Sequence, residues 1–262
     1  MSFEESIARR FGEAHLPVEV ARAPLGRASD SGIVEIDITR ARRAPAERFR
    51  VYRGAPENRI EVLGTDRSLR QLVLLVHEPK RVFEQVISAY AAARSSAKVV
   101  RKRGRMAVIE QETSDKKRHF LCGMDESHLF VAELPRGVSS VSLARDALRA
   151  PEVPRNLQVR GGQVKRQGEW FFLPLETNAL AELEARTAAL QIVKRAGIAQ
   201  AAGLRRAGRP HVAEEILVQD GLIYVRGRVA HPDHRTIELL EWTRVVPNRE
   251  RFDQPEGVLW VD

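Results

Sequence analysis

Asp220-Gly221 stands between two runs of alternating apolar residues and constrains the fold of this chain more than any other dipeptide. Both residues tolerate positive φ, which a two-residue type I′ turn demands. The flanking segments, Val212 to Gln219 and Leu222 to Val229, are therefore expected to form a β-hairpin. The turn length sets the pairing: Gln219 opposite Leu222, Leu217 opposite Tyr224, Glu215 opposite Arg226, and Ala213 opposite Arg228. Side chains alternate across a strand, so Val212, Ile216, Val218, Ile223, Val225 and Val229 are expected on the core face. Leu217, Tyr224, Glu215, Arg226, Arg228 and, at the open end, His211 share the other face.

Histidines mark that open end. His211 follows Gly208-Arg209-Pro210, and His231-Pro232-Asp233-His234 follows the second strand. Imidazole nitrogens and carboxylate oxygens bind divalent metals, which makes His211, His231, Asp233 and His234 the candidate metal ligands. Strict alternation works against this set, because it puts His231 on the face opposite His211. Only a turn at Pro232 would reunite them. The same residues also make a good turn, with proline and aspartate supplying its chemistry, and H-x-x-H lacks the specificity of established zinc signatures. Turn histidines and a metal or catalytic cluster are both open readings. The Glu215–Arg226 pair needs no function, since opposite charges across strands contribute about 0.2–1 kcal/mol.

At 262 residues, 43% of them hydrophobic, the chain has ample material for one large domain or two small ones. No stretch approaches the roughly 20 apolar residues that cross a bilayer. The first residues are charged and lack the apolar run of a secretory signal, while Phe3, Ile7 and Phe11 lie on one helical face. The single cysteine, Cys122, excludes an intramolecular disulfide and sits in an apolar strand pattern that suits a buried, inert thiol. A cytoplasmic protein with no membrane association is the expectation.

The organisation reads as α+β, with mostly antiparallel β-sheets and a few short helices, in one or two small domains. Residues 1–30 form an N-terminal helix and arm, 31–150 an α+β domain, 151–163 a linker rich in proline and glycine, and 164–262 a β-rich α+β domain containing the hairpin. The near-continuous apolar run Leu69 to Val76 predicts a strand covered on both faces. Val82, Phe83, Val86, Ile87 and Tyr90 fit helical spacing over 79–94, and a second long helix is expected over 178–195. His119 and His128 flank a further hairpin and are read as structural. The Trp170-Phe171-Phe172 cluster is read as core, although it also suits a base-stacking platform.

No P-loop, G-x-G-x-x-G, G-x-S-x-G, H-E-x-x-H or paired C-x-x-C occurs, which removes support for several common enzyme classes. Charge is more informative: 43 Lys and Arg oppose 35 Asp and Glu, and residues 94–105 hold six cations and no acid. Guanidinium groups bind phosphates in a bidentate fork. The leading expectation is a basic nucleic-acid-binding or nucleic-acid-processing accessory protein, DNA and RNA not distinguished. Its contacts would be Arg101, Lys102, Arg103, Arg105, Lys165, Arg166, Arg205 and Arg206, with Tyr224, Arg226 and Arg228 on the hairpin. One alternative is a phosphodiesterase or nuclease using a divalent metal on His211, His231, Asp233 and His234. Another is an assembly subunit whose basic surface meets an acidic protein partner.

Overall fold

The protein is described by a computed structural model covering residues 1–24, 32–40, 46–187, 190–204 and 209–251, together with the backbone of a short strand at 259–260. In chain order the first part runs α1 (Phe3–Glu13), β1 (Val18–Ala21), β2 (Glu35–Arg40), β3 (Glu47–Tyr52), β4 (Arg59–Asp66), β5 (Gln71–Glu78), β6 (Arg81–Ser88), α2 (Ala89–Arg94), β7 (Lys98–Arg103), β8 (Met106–Thr113), β9 (Lys116–Asp125), β10 (His128–Glu133) and α3 (Val141–Leu148). The second runs β11 (Gln158–Val159), β12 (Gly162–Gln163), β13 (Lys165–Gln167), β14 (Trp170–Pro174), α4 (Thr177–Thr187), β15 (Val193–Gly197), α5 (Ile198–Ala201), β16 (Val212–Gln219), β17 (Leu222–His231), β18 (His234–Pro247) and β19 (Leu259–Trp260). The fold is α+β with mostly antiparallel sheets, as its pattern implies; the exceptions are the parallel pairs β1–β3 and β19–β2. Among the described residues, no helix is long and apolar enough to cross a membrane.

Two sheets, β1-β3-β2-β19 and β10-β9-β5-β4, enclose the first core. Phe49, Val51, Leu72, Leu74, Phe120 and Cys122 fill it, and α1 closes one side with Ile7 and Phe11. A capping box, in which Ser2 accepts from the Glu5 backbone and Glu5 accepts from the Ser2 N–H, starts that helix. β5 is covered on both faces, as its apolar run predicts. Leu72, Leu74 and Val76 turn toward the first core, while Val73 meets Leu121 and α3 on the other side. The stretch 151–163 contains the small β11–β12 ladder and buries Val153 against Val164, Phe171 and Leu173.

The expected helix over 79–94 is instead β6 followed by the short α2. Val82, Phe83, Val86 and Ile87 satisfy a period of two as well as one of 3.6. Pairing along the whole of β8 selects the strand, with Val86 opposite Val108 and Ile87 opposite Ala107. β6, β8 and β7 form a separate three-stranded sheet. The helix expected over 178–195 ends at Thr187, and Val193–Gly197 joins the edge of the large sheet as β15.

That large sheet, β13-β14-β18-β17-β16-β15, holds the hairpin. Near its turn the register is as derived: Gln219–Leu222, Leu217–Tyr224 and Glu215–Arg226. Farther out, Ala213 faces Val229 rather than Arg228, because Gly227 and Arg228 together oppose Glu214. This is a β-bulge in which glycine takes φ +83° and the Arg228 N–H donates to the Glu214 carboxylate at 3.1 Å. The face assignment changes too: Ala213 and Leu217 are buried, and Val218 is exposed.

Candidate metal centre

Irregularities in the sheet build the site, one of them next to the histidines, where Arg235 and Thr236 oppose Ala230 alone. The bulge on β17 moves the register by one residue, so Val212 pairs with Ala230. Continuing that register one step sets His211 beside His231, which strict alternation had placed on opposite faces. Pro232-Asp233 then forms the two-residue connection of a second hairpin, with His231 paired to His234. A further irregularity lies in β18, where Leu240, Glu241 and Trp242 oppose Arg226 alone. The strand bends there, and its two ends approach the same β13–β14 hairpin. Its far end pairs with β14, Trp170 opposite Pro247. Its near end lies against β13: Lys165 Nζ donates to Glu238 O at 2.8 Å, and Gln167 Nε2 donates to Arg235 O at 2.6 Å. This brings the Gly168-Glu169 turn to the three histidines.

The side chains of His211, His231 and His234 form one cluster, with a nitrogen from each within 4.8 Å of the others. The rings lie in a stack: His211 and His231 are 4.2 Å apart at 16°, and His211 and His234 are 5.4 Å apart at 23°. Gly168 leaves the space beside them. A Cβ there would stand 3.0 Å from His211 Nε2 and 3.0 Å from His234 Nε2, and the positive φ of +55° independently favours glycine. His231 Nε2 is 3.0 Å from the Arg209 carbonyl oxygen, which only accepts, so this nitrogen carries the proton. Its Nδ1 keeps the lone pair and receives the Asp233 N–H at 3.2 Å. His231 could ligate a metal only through Nδ1, and only by giving up the Asp233 N–H; its Nε2–H on the Arg209 carbonyl would then be the usual outer-shell contact of a metal ligand. Burial, and next the neighbouring His231, hold His234 below the usual histidine range against the opposing charges of Asp125, Glu126 and Glu169. Neutral imidazole is the form that binds metals.

Tetrahedral coordination with metal–nitrogen bonds of about 2.0–2.1 Å puts ligand nitrogens about 3.3 Å apart. To hold a metal the cluster would have to close by up to about 1.5 Å, and the rings would have to splay out of their stack so that the in-plane lone pairs meet a common point. Three nitrogen ligands would leave a tetrahedral metal one position for water or substrate. Glu169 stands next to this set, its carboxylate 3.6 Å from His211 Nδ1.

The cluster lines a cleft of about 500 Å³ bordered on one side by β2, β3 and β10 and on the other by the β13–β14 turn and the histidine-bearing strand ends. Arg40, Arg166 and Arg209 face Glu47, Asp125, Glu169, Asp233 and Glu250 there, so carboxylates exceed guanidiniums by two in a chain of net charge +8. Ile38, Leu129, Phe130, Val131 and Leu148 supply an apolar wall. A chain of ion pairs crosses the cleft. Arg209 holds both oxygens of Asp233 at 2.6 and 2.8 Å, Arg40 bonds Glu47 at 2.6 Å, and His128 is 3.1 Å from Glu47. Asp233 is thereby turned to Arg209 and is not part of the histidine cluster.

The other candidate residues are dispersed. Arg166 reaches the cleft, its Nε donating to Gly168 O at 2.8 Å, with Asp125 as a distant partner at 4.0 Å. Arg226 lies over the Trp242 ring at 4.8 Å and donates to Glu215 at 2.7 Å, bracing the bend of β18. Tyr224 packs at the edge of a cluster of Leu183, Leu217 and Trp242, covered by α4. Arg228 is exposed on β17 opposite Glu238. Arg101, Lys102, Arg103 and Arg105 lie together on the separate three-stranded sheet, and Arg205 and Arg206 fall outside the described residues. Glu169 and Gly168 carry no assigned role in the sequence, nor do Asp125, Arg40 and Glu47, and His128 is read there as structural. The glycine at the turn before Trp170 was the available signal for the first two, whereas the others come from strands remote in the chain. Compared with protein-family models, curated proteins and solved structures, the chain shows no match to any of them.

Proposed function

We propose that the protein is a metal-dependent hydrolase of phosphate esters, with His211, His231 and His234 as the metal ligands. The observation that carries this reading is that His211, His231 and His234 bring one nitrogen each within 4.8 Å of the others, beside the Gly168 turn where a Cβ would meet His211 and His234. The excess of carboxylates in the cleft favours a divalent cation, whereas a polyanion alone would be repelled.

A divalent ion held by these residues would supply Lewis acidity and make a water more acidic. Glu169, beside His211, is placed to take a proton from such a water. Arg166, anchored by its Nε on Gly168, presents its terminal nitrogens to the phosphoryl oxygens and offsets charge that grows as the water oxygen bonds phosphorus. The opposite P–O bond would break, with the departing alkoxide taking a proton from solvent while Glu169 returns its proton to water, giving a phosphate and an alcohol. The apolar wall receives the unreacting part of the substrate. The single buried thiol of Cys122 suits a cytoplasmic setting.

The test is metal content and activity together. Tag-free protein loaded with Zn²⁺ or Mn²⁺ and then desalted is expected to retain about one ion per chain. It should also hydrolyse bis(p-nitrophenyl) phosphate. His211→Ala and His234→Ala should each lose at least tenfold in metal affinity, in line with the loss of one ligand. Wild-type protein that retains no ion and has no metal-dependent hydrolysis removes the reading.

A further inference from the structure

We propose that the β6-β8-β7 sheet is a wing that grips the phosphate backbone of duplex DNA through the β7–β8 hairpin. Every residue of β7 is exposed, and the strand forms the free edge of its sheet. The hairpin closes on Gly104-Arg105, Arg103 opposite Met106, with Gly104 at φ +61°. Lys98, Arg101 and Arg103 pair with Glu110, Val108 and Met106 and so share one face; Lys102, opposite the buried Ala107, points to the other. Arg105 sits at the tip. Lys98 is 3.5 Å from Glu110. Among the described residues, Arg101, Lys102, Arg103 and Arg105 make no ion pair or side-chain hydrogen bond, whereas Arg40, Arg50, Arg209 and Arg226 are engaged by carboxylates.

Four unneutralised cations on a ribbon edge are costly in self-repulsion and gain most from a polyanion, whose condensed counterions they release. The occupant follows from what surrounds them. Base stacking on single strands needs exposed aromatic faces, and the one exposed aromatic here, Tyr90, is occupied by Arg94, which donates to its hydroxyl at 2.6 Å and lies 5.5 Å over its ring. The major groove of duplex RNA is too narrow and deep for a β-ribbon, while that of B-DNA, about 12 Å wide, admits one. A flat anionic bilayer would also meet Glu84, Glu110 and Glu112, which lie on the same face as Val86 and Met106. Only the tip and the β7 edge are purely cationic. Among the described residues, none of those lining the histidine cleft belongs to the wing, so DNA binding stands independently of the hydrolase reading; that the cleft acts on a nucleic-acid phosphodiester does rest on it.

The experiment is binding of the full chain to a labelled 24-base-pair DNA duplex in EDTA across a salt titration. Four phosphate contacts predict a slope of about −3.6 in log K against log salt, or about a 150-fold loss of affinity between 50 and 200 mM. The variant Arg101→Ala/Lys102→Ala/Arg103→Ala/Arg105→Ala changes exposed side chains only and should keep the wild-type melting temperature. It should also bind at least tenfold more weakly at 100 mM salt with a slope near zero. His211→Ala should bind DNA as the wild type does, which separates this test from that of the metal centre. No duplex binding by the wild type, undiminished binding by the fourfold variant, or preference for single-stranded DNA, duplex RNA or phosphatidylserine vesicles would each overturn the proposal.

Discussion

Gly227→Ala tests whether the β17 bulge is what assembles the histidines. An added Cβ would stand 2.6 Å from Glu214 Oε2 and 2.9 Å from Glu214 Cβ, so the carboxylate must leave the Arg228 N–H. Positive φ costs alanine about 1–2 kcal/mol. Losing a hydrogen bond to a charged acceptor costs about 1.5–3 kcal/mol, for a combined destabilisation of about 3–5 kcal/mol. Gly221→Ala is the control, because Gly221 has φ +74° with nothing within 4 Å of a Cβ. It should cost only the backbone share, about 1–2 kcal/mol. Urea denaturation of both variants gives the difference directly, and metal content after loading reports on the site. Should the strand relieve the clash by expelling its extra residue, His231 returns to the face opposite His211. Metal retention then falls in Gly227→Ala and stays intact in Gly221→Ala. Equal stability of the two variants to within about 0.5 kcal/mol, with equal metal content, would refute the bulge argument.

Glu47→Gln should destabilise the protein by about 1–3 kcal/mol at neutral pH. Burial alone would raise this carboxyl, but the Leu129 N–H, His128 and Arg40 hold it below its ordinary value. A lowered folded pKa means stability that is present above the unfolded value and lost as pH falls through the folded one. Wild type and variant should therefore converge in acid-denaturation curves below pH 4, and a constant gap would contradict this account. Cys122 is fully buried and its thiol is pushed far above the usual range. Native protein at pH 8 should resist a disulfide reagent until denaturant is added, so rapid stoichiometric labelling of the native state would show the strand to be open.

Much of the hairpin, and the reason its far end departs from alternation, can be traced to particular residues. Asp220-Gly221 and the alternating runs determine pairing as far as Glu215–Arg226, since turn length and period two are local properties. His231-Pro232-Asp233-His234 is legible as a turn for the same reason, and so is the helical face of Phe3, Ile7 and Phe11. The capping box at Ser2 and Glu5 is carried by the same local sequence. Segment 79–94 carries a spacing that fits helix and strand alike. Its partner β8 lies about 20 residues on, and pairing with that strand decided the matter.

What the chain by itself determined was therefore the class of fold, the turns and the strand periodicity near them. Only the tertiary structure decided that His211, His231 and His234 share a space. That outcome needs the Glu214 carboxylate to stabilise a bulge at Gly227, and three residues of β18 to bend around Arg226. It also needs a glycine of the β13–β14 turn to leave room beside the rings. A bulge shifts every residue beyond it to the other face, and it is selected by contacts between segments, to which a local pattern of alternation is blind.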